Sequence, residues 1–352
     1  MSRFWSELAR GLSPYVPGEQ PQIPALVKLN TNESPLGPSL QAITAVRAAA
    51  ADTLRLYPDP QSTRLCEALA DYHEVAPEQV FVGNGSDEVL AHAFAALLKQ
   101  PEPVRFPDVT YSFYPVYCRL LAMRHEIIPL DAGMRVRVDD YLGRAGPVII
   151  ANPNAPTGIS LPLSEIARLV RGRAESPVVI DEAYVDSGAE TAIPLIRDHP
   201  NLLVIQTMSK SRALAGLRVG YAIGDAGLIE ALTRVKDSFN SYPLGRPAQA
   251  GAIASLGDET HFQKTRSAIM RNRASLTAAL TRLGFEVLPS SANFVFARRP
   301  GHSGQALATA LRDRAVLVRH FAAPRIADFL RITIGSEAEL ARLTEALSEI
   351  LA

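Results

Sequence analysis

Four short runs of almost unbroken apolar residues, each followed by small or polar residues and two of them by a clear stretch of helical period, constrain this chain more than any other feature. Gln79–Gly83 (QVFVG), Pro147–Ala151 (PVIIA), Pro177–Ile180 (PVVI) and Asn201–Gln206 (NLLVIQ) are too short for buried helices. They also lack the polar alternation of a strand with one wet face, so they read as strands covered on both sides. Helices are predicted over Ser86–Leu98 and around Leu163–Gly172. Strands that alternate with helices in this way build an α/β fold around a central, mostly parallel sheet.

At 352 residues the chain is too long for one small core and suits a large domain with a lobe attached. After Tyr242 the texture changes. RPAQAGAIASL and the Arg-rich segment to Leu283 read as long helices. FEVLPSSANFVFAR, an amphipathic Gly304–Arg314, AVLVRHF, FLRITI and a final helix from Glu337 read as an α+β lobe. Pro14, Pro17, Pro21 and Pro24 exclude a helix from the N-terminal arm, which is expected to pack on that lobe. The division that follows is a large α/β domain over 31–245, and a small domain made of the arm, 1–30, with 246–352. Lys+Arg and Asp+Glu both count 36, so no basic face is expected for nucleic acid. No apolar run is long enough to span a membrane, and the N-terminus lacks the apolar region of a signal peptide. Cys66 and Cys118 form neither a metal-ligand spacing nor a disulfide framework, and the expected address is cytoplasmic.

In open α/β sheets, ligands lie at the carboxyl ends of the strands, so the residues found there are the candidates for chemistry. GNGSDE, Gly83–Glu88, lies between a strand and a helix. Its small residues and the helix start suit a phosphate, although a plain loop with Ser86 as N-cap would read the same. Asp181 ends PVVI. A carboxylate there is costly unless a cation meets it: a protonated ring nitrogen, or a salt-bridge partner, a helix N-cap being the other use. Tyr184, three residues on, could reach a hydroxyl on the same ring. Lys210 follows the fourth apolar run in a chain with only five lysines. Lys99, Lys236 and Lys264 sit in polar or helical surroundings, and Lys28 lies near the arm. A desolvated lysine has a lowered pKa and makes a good Schiff-base nucleophile. Arg218, eight residues later in LAGLRVGY, is placed to neutralise a phosphate.

Taken together, Asn154 in NPNAPTG, Asp181 and Tyr184 in DEAY, Lys210 in SKS and Arg218 in AGLRVGY resemble the fold-type I pyridoxal-phosphate aminotransferases. Order and spacing agree over roughly residues 28–335. The resemblance implies a pyridoxal 5′-phosphate cofactor linked to Lys210, whose freed amine carries the proton. It implies Asp181 at the pyridinium nitrogen, Tyr184 and Asn154 at the ring hydroxyl, and Tyr111 of VTYSFY stacked on the ring. Ser86 and Asp87 (through backbone N–H), Ser209 and Arg218 would hold the phosphate. Tyr57 in RLYPDPQ would reach the cofactor phosphate of a neighbouring subunit, making the enzyme a homodimer. One position departs: many relatives read Asn-Asn-Pro-Thr-Gly where this chain has Asn154-Ala155-Pro156-Thr157-Gly158. Either Asn154 takes over the contact or the contact is lost.

The arm LSPYVPGEQP, the NESP turn at Asn32–Pro35, and VLVRHF and FLRITIG resemble the histidinol-phosphate aminotransferases more narrowly. That resemblance implies Tyr15, Arg319 and Arg331 as ligands of the substrate phosphate, the last two reading otherwise as structural salt bridges. It implies a ping-pong cycle in histidine biosynthesis, with glutamate and 2-oxoglutarate as the second substrate pair. Guanidinium groups suit both a phosphate monoester and a carboxylate. An aromatic amino acid aminotransferase or a threonine-phosphate decarboxylase would share the cofactor residues and differ at the arm and lobe. A transcription regulator of this fold would need an N-terminal winged-helix segment, for which the proline-rich arm and zero net charge are unsuited.

Overall fold

The computed structural model describes residues 2–352. Its strands, in chain order, are β1 (Val27–Leu29), β2 (Val80–Asn84), β3 (Val104–Pro107), β4 (His125–Ile128), β5 (Val148–Ala151) and β6 (Val178–Asp181). They continue with β7 (Leu202–Thr207), β8 (Val219–Gly224), β9 (Glu286–Val287), β10 (Phe294–Arg298), β11 (Val316–His320) and β12 (Phe329–Thr333). The four apolar runs are β2, β5, β6 and β7, displaced by no more than one residue from their predicted bounds.

These four strands belong to a seven-stranded sheet ordered β2-β8-β7-β6-β5-β3-β4. From β7 to β4 the strands are parallel, while β8 runs antiparallel to both its neighbours. Both faces are buried, as the unbroken apolar runs require. Val178, Ile180, Leu202 and Val204 pack on one side against Ile166, Leu169 and Val170 of the Leu163–Arg171 helix. Val179, Leu203 and Ile205 pack on the other side against Val89, Leu90, Phe94 and Tyr117. β3, β4 and β8 escape the sequence reading because Arg105, Pro107, His125, Glu126, Gly220 and Gly224 interrupt their apolar character.

The helix after β2 spans Gly85–Ala93 and passes into a wider π turn over Phe94–Leu98. It starts one residue before Ser86. Asn84, not Ser86, is its N-cap residue, which removes the capping role for that serine.

A second sheet, β1-β11-β12-β10-β9, pairs β1 parallel to β11 and is antiparallel elsewhere. The helices Glu259–Arg282, Gly304–Arg312 and Glu337–Leu351 cover it through Leu276, Leu280, Leu307, Leu311, Leu343 and Leu347. Residues preceding the large sheet thus supply an edge strand to a sheet otherwise built from the end of the chain. The arm follows the same side: Arg312 pairs with Glu19, and Arg342 donates to the Ala25 carbonyl. The arm carries one helical turn, Glu7–Gly11, capped by Ser6. It ends before Pro14, so the prolines bound this turn where a helix-free arm was expected. Among the described residues, no helix is long and apolar enough to cross a membrane.

Candidate active site

The carboxyl ends of the parallel strands open onto a cleft of about 320 Å³ whose other wall is the second sheet and the arm. Each strand delivers its own residues: Ser86 and Asp87 after β2, Tyr111 after β3, Ala155 after β5, Asp181 and Tyr184 from β6, and Ser209 and Lys210 after β7. Antiparallel β8 begins at this same edge, and its register sets Gly83 opposite Gly220 and Asn84 opposite Val219. Arg218 is thereby held against the turn at Gly85. The fit is close: a Cβ on Gly85, which has φ +79°, would lie 2.3 Å from Arg218 Nη2, and one on Gly220 would lie 2.2 Å from the Ser86 nitrogen. Only glycine meets both demands.

One end of the cleft is built for an anion. The Gly85–Ala93 helix begins at the cleft without a side-chain cap, and Ser86, Asp87, Ser209 and Arg218 line the cleft there. Arg218 Nη2 donates to Asp87 Oδ2 at 3.2 Å, and Tyr111 donates to Asp87 Oδ1 at 2.8 Å. The Asp87 carboxylate therefore orders the arginine and the aromatic ring together.

The floor holds a carboxylate and an amine. Asp181 is buried and accepts from the Tyr114 hydroxyl at 2.8 Å and the Ala183 N–H at 3.2 Å. No cation pairs with it among the described residues, and burial pushes its carboxyl up to about 6. Such a group matches a ligand bearing a protonated ring nitrogen. Burial, and then Arg331, pull the Lys210 amine down to about 8, so it loses its proton far more readily than an ordinary surface lysine. Lys210 Nζ donates to the Thr31 carbonyl at 3.2 Å and lies 6.0 Å from the Tyr184 ring centroid.

The opposite wall is cationic and aromatic. Arg319 of β11 and Arg331 of β12 are direct register partners on antiparallel strands, where like charges repel. Neither has a carboxylate partner among the described residues, so the salt-bridge reading fails for both. Arg319 donates to the carbonyls of Val16 and Pro17 at 2.9 and 3.2 Å, which straps the arm across the cleft. Arg331 donates one Nη2 bond to the Asn30 carbonyl, and its buried Nε has no partner. Tyr15, carried by the arm, packs on Phe113 with centroids 4.9 Å apart.

Two sequence-predicted residues are not in the cleft. Asn154 is buried in the loop after β5, its oxygen accepting from Thr110 and its amide donating to the Val109 carbonyl and Thr157. All its polar atoms are used in holding that loop, and Ala155 lines the cleft instead. Asn154 therefore does not take over the ring contact expected of it. Tyr57 lies outside, 77% exposed and stacked on Tyr242 at 4.7 Å. Sequence reasoning passed over Tyr114, whose only signal is its place in VTYSFY, and Thr31 and Asn32, which line the cleft from the NESP region.

The family model described as aminotransferase class I and II matches residues 24–347. The chain is 63% identical over 351 residues to histidinol-phosphate aminotransferase 2 of Rhizobium meliloti, covering 100% of both. It is 60% identical to histidinol-phosphate aminotransferase of Aromatoleum aromaticum, again covering 100% of both. The chain belongs to the class I and II aminotransferases. Among solved structures, histidinol-phosphate aminotransferase from Sinorhizobium meliloti in complex with pyridoxal-5′-phosphate superposes with a TM-score of 0.89 at 25% identity, over 100% of this chain and 98% of that one. The α/β reading with a mostly parallel large sheet is that of this aminotransferase fold. Ala155 lines the cleft close to Tyr184 and brings no polar side chain to it.

Proposed function

We propose that the chain binds pyridoxal 5′-phosphate at Lys210 and exchanges an amino group between L-histidinol phosphate and 2-oxoglutarate, giving imidazole-acetol phosphate and L-glutamate. The observation that carries the substrate reading is the facing pair Arg319 and Arg331, which meets no acid among the described residues and borders the same cleft as Lys210. Two guanidinium groups so placed suit a phosphate monoester, and the carboxylates of glutamate suit them equally. The full-length relatives at 60% identity and above carry the name of this activity.

When bound, pyridoxal phosphate supplies the electron sink that stabilises negative charge at the substrate carbon. The residues around it divide the remaining work. Asp181 would hold the ring nitrogen in its protonated form, with Tyr114 fixing the carboxylate. Arg218, Ser209 and the N–H groups of Ser86 and Asp87 would hold the phosphate, and Tyr111 would cover a ring face. Tyr184 would donate to the ring hydroxyl. Lys210 Nζ, lowered to about 8, would accept and carry the proton removed from the substrate carbon. Tyr15, Arg319 and Arg331 would grip the anion that does not react.

The active unit we propose is a homodimer in which Tyr57 reaches the cofactor phosphate of the second subunit. Its exposure supports this, as does that of Leu54, Leu56, Phe239 and Tyr242, apolar groups left open to solvent. The two sheets support a division near residues 31 and 245, although the Arg246–Leu256 helix packs Ala252 and Leu256 into the core of the large sheet, and two free cysteines suit a cytoplasmic address.

Half-reactions test the substrate. Histidinol phosphate added to the holoenzyme should abolish the cofactor's visible band, with phenylalanine and threonine phosphate far slower. Silence toward histidinol phosphate would overturn the substrate assignment while leaving the aminotransferase family untouched. Sedimentation velocity tests the dimer, which a monomer at working concentration would exclude.

A further inference from the structure

The NESP turn brings a buried amide to the cleft that neither the anion sites nor the proton transfer uses. Asn32 is 1% exposed and has φ +58°, a left-handed conformation that asparagine tolerates better than most residues. Its backbone N–H donates to Thr333 Oγ1 at 3.0 Å, and Thr333 Oγ1 donates to Asn32 Oδ1 at 3.1 Å. Its carbonyl accepts from Asn293 Nδ2 at 2.9 Å. Its remaining amide group, Nδ2, donates to the Tyr184 hydroxyl at 2.9 Å.

These bonds fix the direction of the amide. The Thr333 hydroxyl already accepts from the Asn32 backbone, and Asn32 Oδ1 is the acceptor for its own proton. The reverse orientation of the amide would leave that buried proton without an acceptor, which is costly. So Asn32 presents N–H, and the Tyr184 oxygen must accept. The phenolic proton is then directed away from Asn32, and Tyr184 donates to no other protein group among the described residues. The edge of Phe294, with centroids 5.0 Å apart, meets the Tyr184 ring and limits its swing.

We propose that Asn32 is a positioning residue that fixes Tyr184 as a hydrogen-bond donor to the ring hydroxyl of the cofactor. It does so by occupying the phenol's acceptor side, from an anchor on β12 of the second sheet. This chain needs such a residue because Ala155 brings no amide of its own to the cleft. The inference rests on the reading of Tyr184 given above.

The test compares Asn32→Gly, Thr333→Val, Tyr184→Phe and the Asn32→Gly/Tyr184→Phe double variant. Glycine keeps the left-handed backbone and removes only the amide; thermal melts of the apoproteins confirm folding. The readout is the pH midpoint of the bound cofactor's visible absorbance in the holoenzyme. A donor at the ring hydroxyl stabilises its ionised form and lowers that midpoint, so loss of the donor raises it. Tyr184→Phe should raise it most. Asn32→Gly should raise it by about half to one pH unit, the size of one ordinary hydrogen bond. Thr333→Val should shift it in the same direction by less, and the double variant should match Tyr184→Phe alone. If Tyr184→Phe leaves the midpoint unmoved, the reading of Tyr184 fails and this inference falls with it. If Tyr184→Phe moves it and Asn32→Gly does not, or the two shifts add, only the role of Asn32 is overturned.

Discussion

The two walls of the cleft are made in opposite ways. On the large-sheet side, functional groups sit at or just beyond strand ends and are bonded to one another: Tyr111 and Arg218 to Asp87, Tyr114 to Asp181. On the small-sheet side, Arg319 and Arg331 stand within paired strands and are satisfied only by backbone carbonyls of the arm and of Asn30. The first wall is arranged before any ligand arrives and suits a group that stays. The second carries uncompensated charge, is tied to the arm, and suits anions that come and go. A cofactor site and an exchange site thus differ in whether their charges have partners within the protein.

This contrast can be broken by substitution, beginning where the effect is largest. Lys210→Ala should reduce transamination by about four orders of magnitude or more, since it removes both the cofactor linkage and the proton carrier. A steady-state assay with glutamate and histidinol phosphate checks it, and substantial residual turnover would break the assignment. On the exchange wall, Arg331→Ala should lower kcat/KM for both amino donors by about 30- to 1000-fold, the range for removing a charged partner of a bound anion. Arg319→Ala should cost only about tenfold, because its guanidinium already serves the arm. Equal losses for the two arginines would erase the distinction between a gripping and a strapping residue.

On the cofactor wall the expected signature is thermodynamic. Asp181→Asn should abolish tight cofactor binding yet stabilise the apoprotein at pH 7.5 by up to about 3 kcal/mol. The sign follows from the raised carboxyl, at about 6 in the folded state against an ordinary 3.8. Between those values the folded protein binds more protons than the unfolded chain, so its stability falls as pH rises through the window. The penalty is complete above about pH 6, and it fades toward pH 4. Apoprotein melts of wild type and variant should therefore converge at low pH; a gap independent of pH would contradict this. The smallest expected effect belongs to Asn154→Ala, which should destabilise by about 1–2 kcal/mol in denaturant titrations and leave kcat/KM within about twofold.

The sequence revealed the first wall far better than the second. β2, β5, β6 and β7 are legible because strands buried on both faces must be apolar throughout, and the polar residues that follow them then stand out. The place of Lys210 and Arg218 in the cleft was visible for that reason. β8 was hidden by Gly220 and Gly224, although the first is what admits the Gly85–Ser86 turn and the second lets β7 pack close. Asn154 was misplaced because a motif gives the identity of a loop residue without its direction, and Thr110, Val109 and Thr157 claim its amide. Asn32 and Tyr184 are 152 residues apart, and Asn32 and Thr333 are 301 apart. No local pattern reports bonds of that span. The facing of Arg319 and Arg331 likewise depends on a register that only the paired strands reveal.

The reversed direction of β8 has a consequence for distance. Because the strand starts where β7 finishes, the chain passes from Lys210 to Arg218 through one short loop, without the crossover helix that a parallel neighbour would demand. The lysine proposed to carry the cofactor and the arginine proposed to hold its phosphate are thus graduations on a single ruler, clamped at both ends by the sheet. An insertion in residues 211–217 would recalibrate that ruler, and with it the spacing between amine and guanidinium, while leaving every strand in place.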